Sequence, residues 1–325
     1  MFVRLSLVLC VMCCIGCTAL RDVPTEFPTP DPPPAATPVP KLDRKPDAEL
    51  EKQFAKIAEE AKGEVGVMAV VLETGESAGL NSDQHFPMQS VYKLPICMAV
   101  MDQVRLGKID LDEVIGVSKE DMVREGQASA LRDKNPDGGE FTIRELIRMA
   151  LVESDGTASD VLLRVVGGPD EVQAYLTQIG VRDIKVLNSE KEMGRDWATQ
   201  YQNWATPQAS IELLIWIFNS GGILSRAAEP NEPLYNLLLV NMNDSVPGQK
   251  RIKGMMPAVI VPHKTGTGGV RNGLTSATND IGLIYLPSNR HIAVAVFIAD
   301  SSSDLKTREA AIAKIVKAAY DRWSK

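Results

Sequence analysis

Three short motifs along the chain contain residue types that could together carry out nucleophilic chemistry. They are Ser-x-x-Lys at 90–93, Ser-Asp-Gly at 154–156 and Lys-Thr-Gly at 264–266. A serine hydroxyl is a weak nucleophile at neutral pH and requires an adjacent base. Since residues three apart on a helix share a face, Lys93 can reach the hydroxyl of Ser90. A helix beginning at Ser90 would also place backbone N–H groups beside a developing oxyanion.

Each motif by itself also has an ordinary structural interpretation. Ser90 could be a helix N-cap with Lys93 as a surface charge, and residues 264–267 could form a turn between strands. A further Ser-x-x-Lys occurs at 303–306, and we interpret it as the solvated start of the last helix. Because a lone Ser-x-x-Lys arises by chance, the chemical interpretation depends on all three motifs occurring in order.

The stretch from Lys264 to Thr267 is suited to binding an anion beside a pocket. It ends an apolar run and is followed by two glycines, a pattern typical of an edge strand. Its ammonium group, two hydroxyls and an exposed backbone N–H could hold a substrate carboxylate and complete an oxyanion hole. A phosphate-binding loop is excluded, because His263 replaces the glycine that such a loop needs before its lysine.

Composition and spacing argue against several other kinds of site. A net charge of −7 without basic clusters disfavours nucleic-acid binding. We expect no metal site, because the histidines are not at ligand spacing: His85, His263 and His291. A Ser-His-Asp triad has no support, since the chain contains no Gly-x-Ser-x-Gly.

The ordered trio resembles the signature of the class A serine β-lactamases, in which the middle motif ends in asparagine. Further features are similar to the PER/CepA-like branch of that family: His-Lys-Thr-Gly-Thr at 263–267, Tyr-Gln-Asn-Trp at 201–204, Thr-Asn-Asp at 278–280 and Asp160. The resemblance extends from about Asp47 to the C-terminus. It implies that the chain hydrolyses β-lactam antibiotics through a covalent acyl-enzyme and needs no cofactor.

The resemblance also implies a role for each matching residue. Ser90 would be the nucleophile, and Lys93 would accept its proton, directly or with Glu190. Ser154 would relay a proton to the departing lactam nitrogen, and the backbone N–H groups of Ser90 and Thr267 would form the oxyanion hole. The implied substrate-binding residues are Lys264, Thr265, Gly266, Thr267, Arg251 and Gly156.

In the family, a glutamate in a long loop activates the water that releases the acyl group. Counting back without gaps from Tyr201 places this residue at Glu190, and the neighbouring Glu192 is the rival. The chain departs from the family pattern at Gly156, where an asparagine amide normally contacts the substrate. It departs again at Gly194, where a residue such as asparagine commonly helps to hold the water. Both departures bear on the speed of deacylation rather than on acylation.

Secondary-structure patterns predict how these motifs are positioned. Apolar runs predict strands at 65–71, 258–261, 281–286 and 292–298. Helical spacing predicts helices at about 50–61 and 304–323, and a capping box at Thr142 opens another that runs to about Glu153. Residues 184–205 lack periodicity and are predicted to form a long functional loop.

The predicted fold class is α/β plus all-α, of the β-lactamase/transpeptidase-like type. An antiparallel sheet is flanked by the N- and C-terminal helices, and a helical domain is inserted into it. We expect residues 47–86 and 230–325 to form one discontinuous α/β domain and residues 87–229 to form the helical domain. The active site would lie between them.

The N-terminus is typical of an exported protein. Residues 1–16 combine Arg4 with a short apolar run, which predicts a lipoprotein-type signal peptide with Cys17 as the lipidated residue. A proline-rich tether is predicted for 17–46. We therefore expect a monomer outside the cytoplasm, periplasmic or at the cell surface, anchored to the membrane by lipid. The alternative is a plain signal peptide and a fully soluble enzyme.

Three other functions share part of the pattern. A penicillin-binding D-Ala-D-Ala peptidase has the trio but lacks the loop glutamate, so Glu190 discriminates against it. A β-lactam receptor would be acylated on Ser90 without turnover. An inert lipoprotein of the same fold would not react at all.

Overall fold

The centre of the fold is a β-sheet built from both ends of the chain. The computed structural model describes residues 38–39, 42–221 and 234–324. The strands in these ranges are β1 (Lys45–Pro46), β2 (Glu64–Val71), β3 (Glu76–Leu80), β4 (Phe86–Pro87), β5 (Val114–Val117), β6 (Gly139–Thr142), β7 (Ile184–Lys185), β8 (Trp204–Ala205), β9 (His263–Thr267), β10 (Val270–Arg271), β11 (Leu274–Tyr285) and β12 (His291–Ser301). The strand order of the main sheet is β1-β3-β2-β12-β11-β10, and β9 also pairs with β11.

The main sheet is antiparallel except at one edge. β2 pairs with β12 from Val71 opposite Ile292 to Glu64 opposite Ala299, so the first and last parts of the chain share one sheet, as predicted. The exception is β1, which runs parallel to β3 and makes the sheet mixed. β1 comes from the end of the predicted tether, so residues 45–46 are part of the sheet.

Helices cover both faces of this sheet. They are α1 (Ala48–Ala58), α2 (Lys93–Arg105), α3 (Ala130–Lys134), α4 (Ile143–Arg148), α5 (Gly156–Val166), α6 (Pro169–Gln178), α7 (Glu190–Met193), α8 (Pro207–Gly221), α9 (Asn236–Asn243) and α10 (Leu305–Trp323). The terminal helices α1 and α10 pack on one face, and α2, α5 and α8 contribute to the core on the other. The predicted fold class is confirmed, whereas the division into two domains with the stated bounds stays a prediction.

The alternation of side chains along β12 explains why its sequence is apolar throughout. One set of residues faces the core formed with α1 and α10: Ile292, Val294, Val296 and Ile298. The other set faces the core formed with the inserted helices: Ala293, Ala295, Phe297 and Ala299. Since successive side chains of a strand point to opposite faces, a strand buried on both faces must be apolar at every position.

The strand predicted at 258–261 is wrong. This segment has no strand geometry, and the strand that carries the third motif is β9, at His263–Thr267. The carbonyl oxygens of Ile260 and Pro262 do accept hydrogen bonds from β11. Because Pro262 has no N–H group to return to β11, the ladder between β9 and β11 ends at His263, after this segment.

Several predictions concern the N-terminus. The signal peptide at 1–16, Cys17 and most of the tether lie outside the described residues. In the described part of the chain, no helix combines the length and apolar character needed to cross a bilayer.

Candidate active site

Ser90 lies in a short 3₁₀ turn that leads directly into α2. The preceding residue, Gln89, has a φ of 47°, a left-handed conformation that is strained for a residue other than glycine. Such strain is often found at functional sites. The side chain of Asn279 on β11 donates to the carbonyl oxygen of Met88 at 3.1 Å, which ties the turn to the sheet just ahead of Ser90.

The third motif lies against the same turn through Gly266. A Cβ at this position would be 2.2 Å from the carbonyl oxygen of Met88, so only glycine allows the close approach. Thr265 and Thr267, on either side, line a cavity beside Ser90.

Arg251 is buried behind Thr267. Its Nη2 donates to the Thr267 hydroxyl at 2.7 Å, and its Nη1 donates to the carbonyl oxygens of Gly266 at 3.1 Å and Asn279 at 2.9 Å. The structure thus places Arg251 near the predicted anion site, where it holds the strands together.

Lys93 is buried one helical turn after Ser90. Its Nζ donates to the backbone oxygen of Ser154 at 2.7 Å and lies 3.2 Å from Oε2 of Glu190. Among the described residues, no side chain forms a hydrogen bond with Oγ of Ser90. Lys93 therefore joins Ser154 to Glu190 in the free protein. Hydrogen bonds to a catalytic nucleophile such as Ser90 commonly form or tighten only when substrate binds.

Ser154 is fixed by the turn between two helical segments. A π-helical turn at Met149–Glu153 follows α4, and Ser154 then adopts a φ of 59° before Asp155 caps α5. The Asp155 carboxylate accepts from the backbone N–H groups of Leu131 at 2.7 Å and Ala158 at 2.9 Å. The aspartate of the middle motif is thus a structural residue that holds Ser154 in place.

Lys264 is completely buried and contacts Ser154 instead of lining the cavity. Its Nζ donates to the Ser154 hydroxyl at 2.8 Å and to the backbone oxygen of Thr265 at 3.0 Å. Burial, followed by repulsion from the nearby Lys93, lowers the pKa of Lys264 to about 7. The lysine can therefore exchange a proton near neutral pH.

A small sheet closes the loop predicted at 184–205. β8 pairs with β7 and with β4, which directly precedes the turn of Ser90. Inside the loop, the buried Asn203 accepts from the backbone N–H groups of Leu187 at 2.8 Å and Asn188 at 2.9 Å. The conformation of the loop is thereby coupled to the position of the nucleophile.

Glu190 and Glu192 occupy different environments in this loop. Glu190 lines the cavity, with Oε2 beside Lys93. Glu192 is exposed, and its carboxylate accepts from the backbone N–H of Ser189 at 2.8 Å in a capping box that starts α7. The geometry favours Glu190 over Glu192 as the residue that acts on a bound substrate.

Asp160 anchors the start of α7 from α5. Its carboxylate accepts from the backbone N–H groups of Glu190 at 2.6 Å and Lys191 at 3.0 Å. Burial raises the pKa of Asp160 to about 7, although both hydrogen bonds oppose this shift. The sequence identified Asp160 only as a marker of the family branch.

Neighbouring side chains fill the space beside both unusual glycines. A Cβ at Gly156 would be 2.8 Å from Cγ of Glu190, so a larger residue there requires Glu190 to move. A Cβ at Gly194 would be 2.6–2.8 Å from the amide group of Gln127. The same Gln127 amide donates to the backbone oxygen of Glu190. The amide of Gln127 thus occupies the position beside Gly194.

The cavity at these residues has a volume of about 680 Å³. Predicted site residues that line it are Ser90, Lys93, Ser154, Glu190, Thr265 and Thr267, whereas Lys264, Gly266, Arg251 and Gly156 are not among its lining residues. Lining residues that the sequence analysis missed include Gln89, Gln127, Trp197 and Gln200. None of these four residues belongs to one of the three motifs, and they come from three separate parts of the chain.

Comparison with known proteins identifies similar chains. A family model described as the Beta-lactamase enzyme family matches residues 49–323. Beta-lactamase VEB-1 of Pseudomonas aeruginosa is 35% identical over 261 residues, 80% of this chain and 85% of that protein. The extended-spectrum beta-lactamase PER-1 of the same organism is 34% identical over 272 residues, 83% of this chain and 86% of that protein.

A solved structure extends this similarity to three dimensions. The crystal structure of a class A beta-lactamase from Bacteroides cellulosilyticus DSM 14838 has a TM-score of 0.77 and 30% identity to this chain. The match covers 87% of this chain and 99% of that one.

Proposed function

The chain belongs to the class A β-lactamase family, and from this premise we propose that it forms its acyl-enzyme on Ser90. Its reaction is β-lactam hydrolysis, so it is a serine β-lactamase. The observation that carries the proposed mechanism is the meeting of three groups at one cavity: Ser90, Ser154 and Glu190. Lys93 also lines this cavity and contacts the last two.

In the proposed acylation step, Oγ of Ser90 attacks the lactam carbonyl carbon while Lys93 accepts its proton, directly or with Glu190. The lactam C–N bond then breaks, and Ser154 relays the proton: its hydroxyl gives one to the departing nitrogen and takes up the one that Ser90 gave to Lys93. Support for this relay comes from the contacts of Ser154, whose hydroxyl accepts from Lys264 and whose carbonyl accepts from Lys93. The backbone N–H groups of Ser90 and Thr267 would stabilise the oxyanion.

In the proposed deacylation step, Glu190 removes a proton from water as the water attacks the ester carbon. The bond from that carbon to Oγ of Ser90 then breaks and Oγ takes up the proton held by Glu190, so the products are the ring-opened acid and free Ser90. Support comes from the position of Glu190 at the wall of the cavity that Ser90 also lines.

We propose that the substrate carboxylate binds near Thr265, Thr267 and the positive charge of Lys264. A pH dependence follows. Burial and then the charge of Lys93 lower the pKa of Lys264 to about 7, although Asp280, Cys97 and Glu190 oppose this shift. The lysine is therefore charged below that pH and neutral above it. We therefore expect kcat/KM for anionic β-lactams to fall as pH rises through about 7.

Steady-state kinetics between about pH 5.5 and 9.5 measure this falling limb of the pH profile. In kcat/KM the limb reports the ionisation of Lys264 in the free enzyme. A bound carboxylate stabilises the ammonium form, so the corresponding limb in kcat should lie at higher pH. Lys264→Arg is the control, since a guanidinium stays protonated throughout this range. The limb should disappear in that variant. A flat wild-type profile to about pH 9 would argue against this role of Lys264.

β-Lactamases are typically exported, and we propose that this one is also tethered to the membrane through Cys17. The support is the short apolar run that ends at Cys17 and the proline-rich stretch that follows. Labelled palmitate should enter the wild type and Cys13→Ala but not Cys17→Ala. No labelling in any of the three would indicate a secreted soluble enzyme, and equal labelling of all three would place the lipid on a residue other than Cys17.

A chromogenic cephalosporin, followed by absorbance and by intact-protein mass spectrometry, tests the proposed function. We expect many turnovers per protein molecule and a transient mass increase of one acyl group. A single stoichiometric burst would instead identify a protein that is acylated without release, and no reaction would exclude the proposed site.

A further inference from the structure

The Tyr92 hydroxyl lies beside the proposed deacylating base and has no role in the steps described above. Tyr92 is fully buried, and its hydroxyl donates to Oε2 of Glu190 at 3.2 Å. The hydroxyl also lies 3.5 Å from Oγ of Ser159. Since Ser159 itself donates to the carbonyl oxygen of Gly156 at 2.8 Å, the carboxylate is the stronger acceptor within reach of Tyr92.

Charged groups surround Glu190 on several elements. Lys93 on α2 lies 3.2 Å from Oε2, Lys264 on β9 lies beyond Ser154, and Asp160 on α5 accepts from the backbone N–H of Glu190. Burial, then the negative charges of Glu190 and Asp160, raise the pKa of Tyr92 well above its ordinary value. Tyr92 therefore keeps its proton and can only donate to the carboxylate.

We propose that Tyr92 is a positioning residue for deacylation, whose hydroxyl orients the carboxylate of Glu190. Oε2 then receives the Tyr92 hydroxyl and lies beside the Lys93 ammonium group. Among the described residues, no donor bonds to Oε1, which leaves this oxygen for the hydrolytic water. The inference rests on the proposed role of Glu190 as the base.

Tyr92→Phe tests the inference by removing only the hydroxyl. Without this hydrogen bond Oε2 keeps only its contact with Lys93, so the carboxylate should be held less well for attack by water. We expect deacylation to slow about tenfold, with acylation within about twofold of the wild type. Stopped-flow absorbance and time-resolved mass spectrometry measure both steps across pH.

Tyr175→Phe is the matched control, because it removes another buried tyrosine hydroxyl on α6 at a residue that does not line the cavity. It should keep the wild-type rates and pH profile. Deacylation is followed only on molecules already acylated, so partial misfolding lowers the amplitude and leaves the rate readable. A wild-type deacylation rate in Tyr92→Phe would overturn the inference.

Two further variants separate the possible failures. Ser159→Ala leaves the contact between Tyr92 and Glu190 in place and should deacylate normally. If it instead reproduces the defect of Tyr92→Phe, the hydroxyl acts through Ser159 and the inference is wrong. If Glu190→Gln deacylates normally, the proposed base itself is wrong. If Glu190→Gln stalls while Tyr92→Phe behaves as the wild type, only the inference about Tyr92 fails.

Discussion

Replacing Ser90 by alanine is expected to lower β-lactam turnover by roughly 10⁴-fold or more and to abolish the covalent adduct. The hydroxyl of Ser90 is the nucleophile proposed to form the ester, and alanine has no group that could take its place. The contacts among Lys93, Ser154 and Lys264 do not involve this hydroxyl, so the variant should still fold. Mass spectrometry of the peptide that contains residue 90 measures the adduct directly.

Ser303→Ala is the matched control, because Ser303 belongs to the second Ser-x-x-Lys of the chain. Its hydroxyl donates to the backbone oxygen of Glu60 at 2.9 Å, at the start of α10. This variant should keep full activity and the adduct on Ser90. Unchanged hydrolysis by Ser90→Ala would end the serine mechanism proposed for this protein.

The parts of the fold that could be predicted are those whose sequence pattern matches one regular element. Alternating residues from Val65 to Val71 and the capping box at Thr142 both led to elements that the structure contains. The strand predicted at 258–261 was wrong because hydropathy does not register backbone donors, and Pro262, which separates this segment from β9, lacks one. The parallel β1 was missed because a two-residue strand has no detectable period.

The site was predictable where its chemistry is encoded locally. Ser90 and Lys93 are three residues apart, so a single turn of helix fixes their relation. The contact between Tyr92 and Glu190 joins residues 98 apart in sequence, and that between Gln127 and Glu190 joins residues 63 apart. Such contacts depend on how α2, α5 and the loop at 184–205 pack together, which no local pattern specifies.

Gly156 shows how such packing changes the meaning of a motif. From the sequence alone, this glycine indicates a lost amide contact with the substrate. In the structure, Cγ of Glu190 lies 2.8 Å from the position that a Cβ of residue 156 would take. The glycine is therefore required by the present position of Glu190, and the two residues must be considered together.

Glu190→Gln is expected to react with a β-lactam at Ser90 and then to stall as a stable acyl-enzyme. An ester at Ser90 is released only if water attacks it, and that water needs a positioned base. Loss of such a base typically slows the step it serves by about 10²–10⁴-fold. The amide of glutamine retains the size of the side chain beside Gly156 but cannot accept the proton. Time-resolved mass spectrometry should show the adduct persisting long after the wild type has cleared it.

Glu192→Gln is the matched control, because it makes the same substitution two residues away. Glu192 caps α7 through the backbone N–H of Ser189, and glutamine preserves that acceptor, whereas alanine would remove it. The control should therefore deacylate nearly as fast as the wild type. If Glu192→Gln stalls while Glu190→Gln turns over, the assignment within the loop is wrong by two residues. If neither variant stalls, the base lies elsewhere, because both candidate carboxylates will have been removed without effect.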